Sequence, residues 1–204
     1  MSTEEFTALL VFATAMSFTP GPNTTLSAAL GANFGLRRTL GFIVAVPTGW
    51  TLMMLASGLG LGALVLALPG ANLVLKTLGV AYLLWLAWKL AGAGQLGEAD
   101  PNRLRIGFWQ GVTLQFVNIK AWMFALALAA GWVTSAGGLP ASNPGQRLAI
   151  VCAVMPVFAL TSNLMYALVG SVLRQWLAHG RRLLWFNRTM ATLLLATAVW
   201  MVGA

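Results

Sequence analysis

Phe18-Thr19-Pro20-Gly21-Pro22-Asn23-Thr24 cuts through an apolar run that otherwise extends without a charge from Phe6 to Phe34. Two prolines one residue apart remove two amide donors and push the residues before them out of the helical region. The run therefore reads as a helix broken in its middle and restarting near Asn23. At about 1.5 Å per residue the segment from Phe6 to Thr19 descends about 21 Å, which places the break inside a hydrocarbon core about 30 Å thick. Carbonyls freed at that depth are tolerated only where protein or a water-filled cavity satisfies them. One reading is a simple proline kink. The other, which the chemistry favours, is a break facing a substrate, with Pro20, Gly21 and Pro22 opening the backbone. Asn23 and Thr24 would then offer N–H groups at a fresh helix start to a carboxylate.

The rest of the chain has the composition such a break requires. Of 204 residues, 59% are hydrophobic and 8% charged, against about 45–50% and about 25% in a soluble domain, so a water-soluble globule is excluded. One Cys and one His, Cys152 and His179, leave no internal disulfide, no CxxC pair and too few ligands for zinc, haem or an iron–sulfur cluster. No metal or other cofactor is expected. The start, Met1-Ser2-Thr3-Glu4-Glu5, has neither a positive n-region nor a small-residue cleavage site. The first apolar run is expected to be retained as a membrane segment.

Further apolar runs extend from Leu40 to Leu68, Leu73 to Leu90, Phe108 to Val133, Leu148 to Leu173 and Leu183 to Val202. With the first they predict six transmembrane helices in one all-α polytopic domain, 1–204. Pro69-Gly70-Ala71-Asn72 reads as turn chemistry joining runs two and three into a tight helical hairpin. The hydrophilic stretch at about 91–107 carries Glu98, Asp100, Arg103 and Arg105 and joins two halves, about 1–92 and 107–204. The linkers after runs one, three and five hold Arg37, Arg38, Arg103, Arg105, Arg174, Arg181 and Arg182. The positive-inside rule places them in the cytoplasm and both termini outside, which accounts for the net charge of +8 without nucleic acid. Three spans in each half would enter the membrane in opposite senses, a 3+3 inverted repeat. Run one has its Pro-Gly-Pro-Asn break and run four the polar Gln115, Asn118 and Lys120, while runs two and five each carry a proline, Pro47 and Pro156.

Counting from Phe108, Asn118 and Lys120 lie about 15–18 Å deep. An intramembrane Lys is functional by default; snorkelling or a structural bond to a carbonyl is the alternative. Lys76 and Lys89, near the ends of run three, are expected to snorkel. No apolar run contains Asp or Glu, so a cationic substrate has no buried counter-charge. Lys120 with neutral Asn23, Gln115, Asn118, Asn163 and Tyr166 suits a carboxylate or zwitterion. An amino acid with an uncharged side chain fits best. The glycines of Gly31-xxx-Gly35 and Gly58-x-Gly60-x-Gly62 are expected to serve close helix packing, and the nine Trp mostly interfacial belts or bundle packing.

The segment Phe18 to Thr24, with Gly31, Gly35 and Gly41 after it, closely resembles the opening motif of the LysE/RhtB family of amino-acid exporters. The likeness extends over nearly the whole chain, including Gly111-Val112-Thr113-Leu114-Gln115-Phe116-Val117-Asn118-Ile119-Lys120-Ala121 in run four. Family members usually have Asn-Pro-Lys there, and this chain has Ile119 instead of the proline, which leaves open whether run four is broken. The resemblance implies efflux of amino acids or related metabolites across the bacterial inner membrane, driven by the proton motive force. The expected partners are a small-molecule substrate and the lipid bilayer, with a homodimer left open. Two other classes stay on the table. A thiol-redox conductor would need paired cysteines; a non-transporting assembly subunit would need neither a broken helix nor a mid-membrane Lys.

Overall fold

Ser2 sets the start of the first helix. Its hydroxyl accepts from the Glu5 amide at 3.1 Å and the Glu5 carboxylate accepts from the Ser2 amide at 2.7 Å, a reciprocal cap. The computed structural model describes residues 1–58, 69–93, 106–136 and 138–203. Helix α1, Thr3–Phe18, ends where Thr19 turns extended, with ψ 130°. Gly21 is also extended and Pro22 opens α2, Pro22–Phe34, in the first-turn position where a missing N–H costs nothing. Gly35, at φ +78°, terminates α2 in a conformation suited to glycine. Next come α3, Leu36–Gly58, and α4, Pro69–Ala91. Helices α5, Phe108–Val117, and α6, Ile119–Leu128, meet at Asn118, and α6 runs on into a π-helical turn, Ala129–Val133. A two-residue hairpin, β1 Ser135–Ala136 with β2 Leu139–Pro140, precedes α7, Pro144–Leu177, and α8, Arg182–Gly203.

Run four is broken although it has no proline. Asn118 is extended, at φ −88° and ψ 98°, and the segments on either side of it are bent by 68°. The freed Phe116 carbonyl accepts the indole N–H of Trp122 at 2.8 Å, and the Asn118 amide turns back to the Gln115 carbonyl at 3.3 Å. A side chain beyond the break thus satisfies the opened backbone, as a break away from water requires.

The structure differs from the expected hairpin of runs two and three in two respects. Pro69 to Asn72 belong to α4, because a proline is compatible with a first helical turn. Among the described residues helices α3 and α4 do not pack as a hairpin: α4 lies along α8, and α3 lies against α5 and α7. The faces of α3 and α4 are already committed elsewhere. Leu83, Leu86, Ala87 and Leu90 of α4 share a core cluster with Ala191, Leu194, Ala198 and Met201 of α8. The connection at 59–68, with Gly60 and Gly62, and most of the stretch at 91–107, with Glu98, Asp100, Arg103 and Arg105, lie outside the described residues.

Glycines govern the tight crossings. A methyl group on Gly31 would overlap the Ala167 carbonyl, and one on Gly170 would overlap the Ala28 carbonyl, so α2 and α7 meet backbone to backbone. The same device joins α3 to α5, where Gly49 lies under Val112 and Gly111 under Ala45 and Phe42. Among the described residues three helices, Leu36–Gly58, Leu73–Ala91 and Pro144–Leu177, are long and apolar enough to cross a membrane, and the bent pair Phe108–Val117 with Ile119–Val133 adds a fourth if it is one span. Large apolar side chains such as Val172, Val199 and Trp88 are left on the outside, the inverse of a soluble surface of this size.

Candidate functional site

The two breaks face one another. The Lys120 ammonium, from the first turn of α6, donates to the Thr19 and Pro20 carbonyls at 3.2 and 3.4 Å. It closes over Gly21, whose missing side chain makes the room: a Cβ there would stand 3.1 Å from the Lys120 nitrogen. The carbonyls opened by one break are thus met by the cation placed by the other. Asn23, at the start of α2, and Gln115, near the end of α5, exchange two amide hydrogen bonds of 2.8 and 3.1 Å. The Tyr166 hydroxyl donates to the Phe18 carbonyl at 3.0 Å, and the Ser27 hydroxyl donates to Asn163 Oδ1 at 2.8 Å.

Between the breaks lies a cavity with about 70 Å³ open to the centres of water-sized molecules, several times the 10–15 Å³ that one water needs. Gly21, Pro22, Asn23, Thr24, Asn118, Lys120 and Asn163 are on its wall. Pro20 and Gln115 are off the wall but bonded to groups that form it, Pro20 to Lys120 and Gln115 to Asn23, while Tyr166 is off the wall and bonded to the carbonyl of Phe18, which is itself off the wall. Ten residues read from sequence therefore separate into lining and support. Trp50 of α3, with Phe124 and Ser162, also lines the cavity. The sequence reading of the nine Trp as mostly belts or packing does not single out Trp50, yet it is mid-run in α3 and carries an N–H that a buried indole normally pairs. That position was the signal. Among the described residues no acidic side chain reaches this wall, and no cluster of His, Cys, Asp or Glu is suited to a metal.

Other basic residues behave differently. Lys89 lies 3.9 Å over the Trp85 ring, and Arg182 and Arg188 lie over Trp176 and Trp185. These are cation–π contacts near helix ends.

A helical protein with lipid-compatible outer faces, two mid-run helix breaks and a small polar cavity between them has the build of a membrane transporter. Residues 14–203 match the family described as LysE type translocator, and the chain belongs to that family. It is a multi-pass membrane transporter, not an enzyme. It is 32% identical over 193 residues to the "Cysteine/O-acetylserine efflux protein" of Klebsiella pneumoniae, covering 94% of each chain. Proteins of the same description from Salmonella typhimurium and Escherichia coli O139:H28 are 30% and 29% identical, over 90% of each chain. No solved structure matches.

Proposed function

We propose that the protein exports small neutral α-amino acids or close relatives, cysteine and O-acetylserine foremost, across the bacterial inner membrane by way of the cavity between the two breaks. The observation that carries this is the pairing of Lys120, the one cation on the cavity wall among the described residues, with a lining otherwise of neutral amides, hydroxyls and apolar groups. Such a lining accepts a carboxylate, offers acceptors to an ammonium and gives no counter-charge to a cationic side chain. Relatives at about 30% identity over nine-tenths of the chain are efflux proteins for cysteine and O-acetylserine, both zwitterions with short uncharged side chains.

Transport is driven by the proton motive force. With no Asp or Glu in an apolar run, the proton travels on Lys120, on water or on the substrate's own amine. The six spans form a 3+3 inverted repeat with both termini outside. Support comes from the paired packing: α2 crosses α7 through Gly31 and Gly170, as α5 crosses α3 through Gly111 and Gly49. Pro47 and Pro156 line one groove between α3 and α7. In that topology α2 and α5 are both cytoplasmic halves of broken spans, and both are the tightly packed ones.

Efflux from cells deprived of their own exporters and loaded with single amino acids tests the proposal. Cysteine and other small neutral amino acids should leave faster when the protein is present, lysine and glutamate should not, and a protonophore should abolish the difference. Equal efflux with and without the protein for every neutral amino acid would contradict it.

A further inference from the structure

Among the described residues, three buried side-chain polar atoms have no hydrogen-bond partner: Trp50 Nε1, Asn118 Oδ1 and Ser57 Oγ. The first two are on the wall of the same cavity, one in α3 and the other at the break between α5 and α6, and their residues are 5% and 4% exposed. Buried polar groups in folded proteins are almost always paired, because an unpaired one keeps the full cost of its desolvation. Around these two atoms the pairing is otherwise thorough: Asn23 with Gln115, Ser27 with Asn163, Asn163 Nδ2 with the Ala159 carbonyl, Gly21 with Thr24. Asn118 also occupies the residue before α6, where an Asn side chain ordinarily caps the helix, and it makes no such bond. Its oxygen is left to the cavity. The Trp50 ring is held by Phe124, with centroids 5.7 Å apart and planes tilted by 44°, so the direction of its N–H is fixed.

We infer that Trp50 and Asn118 orient the zwitterionic head of the substrate: the indole N–H of Trp50, together with Lys120, binds the carboxylate, and the Asn118 carboxamide oxygen binds the ammonium. The inference rests on the amino-acid reading above and adds to it a residue, Trp50, and a direction of binding. An indole can only donate and an amide oxygen can only accept, whereas a carboxylate only accepts and an ammonium only donates. Each orphan atom therefore has one possible partner on the head group. Lys120 supplies the remaining charge: two of its three donors go to the Thr19 and Pro20 carbonyls, which leaves one for the carboxylate.

The test uses the purified full-length protein in proteoliposomes, reading exchange of labelled cysteine under reducing conditions against unlabelled competitors. Cysteinamide lacks the carboxylate and N-acetylcysteine lacks the ammonium. Trp50→Phe should weaken competition by cysteine about tenfold or more, the weight of a hydrogen bond to a charged group, and leave cysteinamide within about twofold. Asn118→Leu should weaken cysteine and leave N-acetylcysteine unchanged. If Trp50→Phe does not fold, benzothienylalanine at position 50 replaces only the N–H by sulfur and should give the same split. Equal weakening of cysteine and cysteinamide would make Trp50 a packing residue, and no change in either would mean that trapped water satisfies its N–H; each result overturns the inference. Wild-type protein that exchanges no amino acid at all would instead overturn the amino-acid reading, a distinct outcome visible before any variant is made.

Discussion

Arg147, with 5% of its surface exposed, is paired through both terminal guanidinium nitrogens. It donates to both Glu5 carboxylate oxygens at 3.0 and 2.8 Å, and to the Trp132 and Ser135 carbonyls. The Trp132 indole in turn donates to the Glu5 carbonyl at 2.9 Å, so the start of α1 is fastened to the start of α7 and to the turn after α6. The hydrogen bond from Arg147, and then that from the Ser2 amide, holds the Glu5 carboxyl below the usual carboxylate range. A carboxyl lowered in the folded state contributes stability that is present above its unfolded pKa and is lost as pH falls through the folded one. The melting temperature in detergent should therefore be flat from about pH 7 to 5 and decline below about pH 4.3. Glu5→Gln should lower the plateau and shrink that acid decline; an unchanged acid limb in Glu5→Gln would show that the pair carries none of it. At this scale the sequence was partly legible. Lys120 was identifiable by depth alone, but the partners of Arg147 and the orphan N–H of Trp50 depend on which helices meet, and residues 142 positions apart in the chain carry no such signal.

Among the elements, the two broken helices differ instructively. The first is broken by covalent chemistry, two prolines flanking Gly21, and could be read directly. The second is broken at Asn118 without a proline and is accommodated by the Trp122 indole on the Phe116 carbonyl and by Gly79 of α4 packed under the Val117 carbonyl, so local propensity alone left it open. Asn118 already has the extended backbone that a following proline demands, and position 119 is the first residue of α6, where proline is favoured. Ile119→Pro should therefore insert normally, keep transport and melt close to wild type, with a gain of about 0.4–1 kcal/mol from a stiffer unfolded chain offset by the loss of Ile119 packing on the core cluster of α4 and α8. A large loss of stability would mean that the Asn118 backbone is not extended. Pro20→Ala with Pro22→Ala restores two amides and should let the helix close through Gly21, which displaces the carbonyls that Lys120 holds. Membrane insertion should persist while efflux is lost; efflux at the wild-type level would reduce the first break to a kink. The same dependence on partners explains the misread hairpin: Pro69-Gly70 is equally good as a turn and as a helix start, and α4's commitment to α8 decides between them.

For the whole molecule, membrane residence was legible from composition, because 59% apolar and 8% charged residues leave no soluble arrangement. Which helices touch was not, because the glycines that set the crossings of α2 with α7 and α3 with α5 look alike in sequence to Gly41, which meets nothing. The proposed orientation makes a direct prediction. In a Cys152→Ala background, a cysteine at the exposed Ser142 should react with an impermeant thiol reagent in intact cells, and one at the exposed His179 should react only after lysis; the reverse pattern would invert the topology. In the proposed orientation the tight α2–α7 and α3–α5 crossings lie on the cytoplasmic side, and α1, fastened at its start by the Glu5–Arg147 pair, lies on the other. The decisive measurement is exchange of labelled cysteine by proteoliposomes containing wild-type protein, Lys120→Met, or Lys76→Met with Lys89→Met. Wild type and the double variant should exchange at similar rates and be thermally stabilised by added cysteine, as binding to the folded state requires. Lys120→Met should retain its fold but lose both properties. Exchange and cysteine-dependent stabilisation that survive in Lys120→Met would remove the cation from the site and contradict the account.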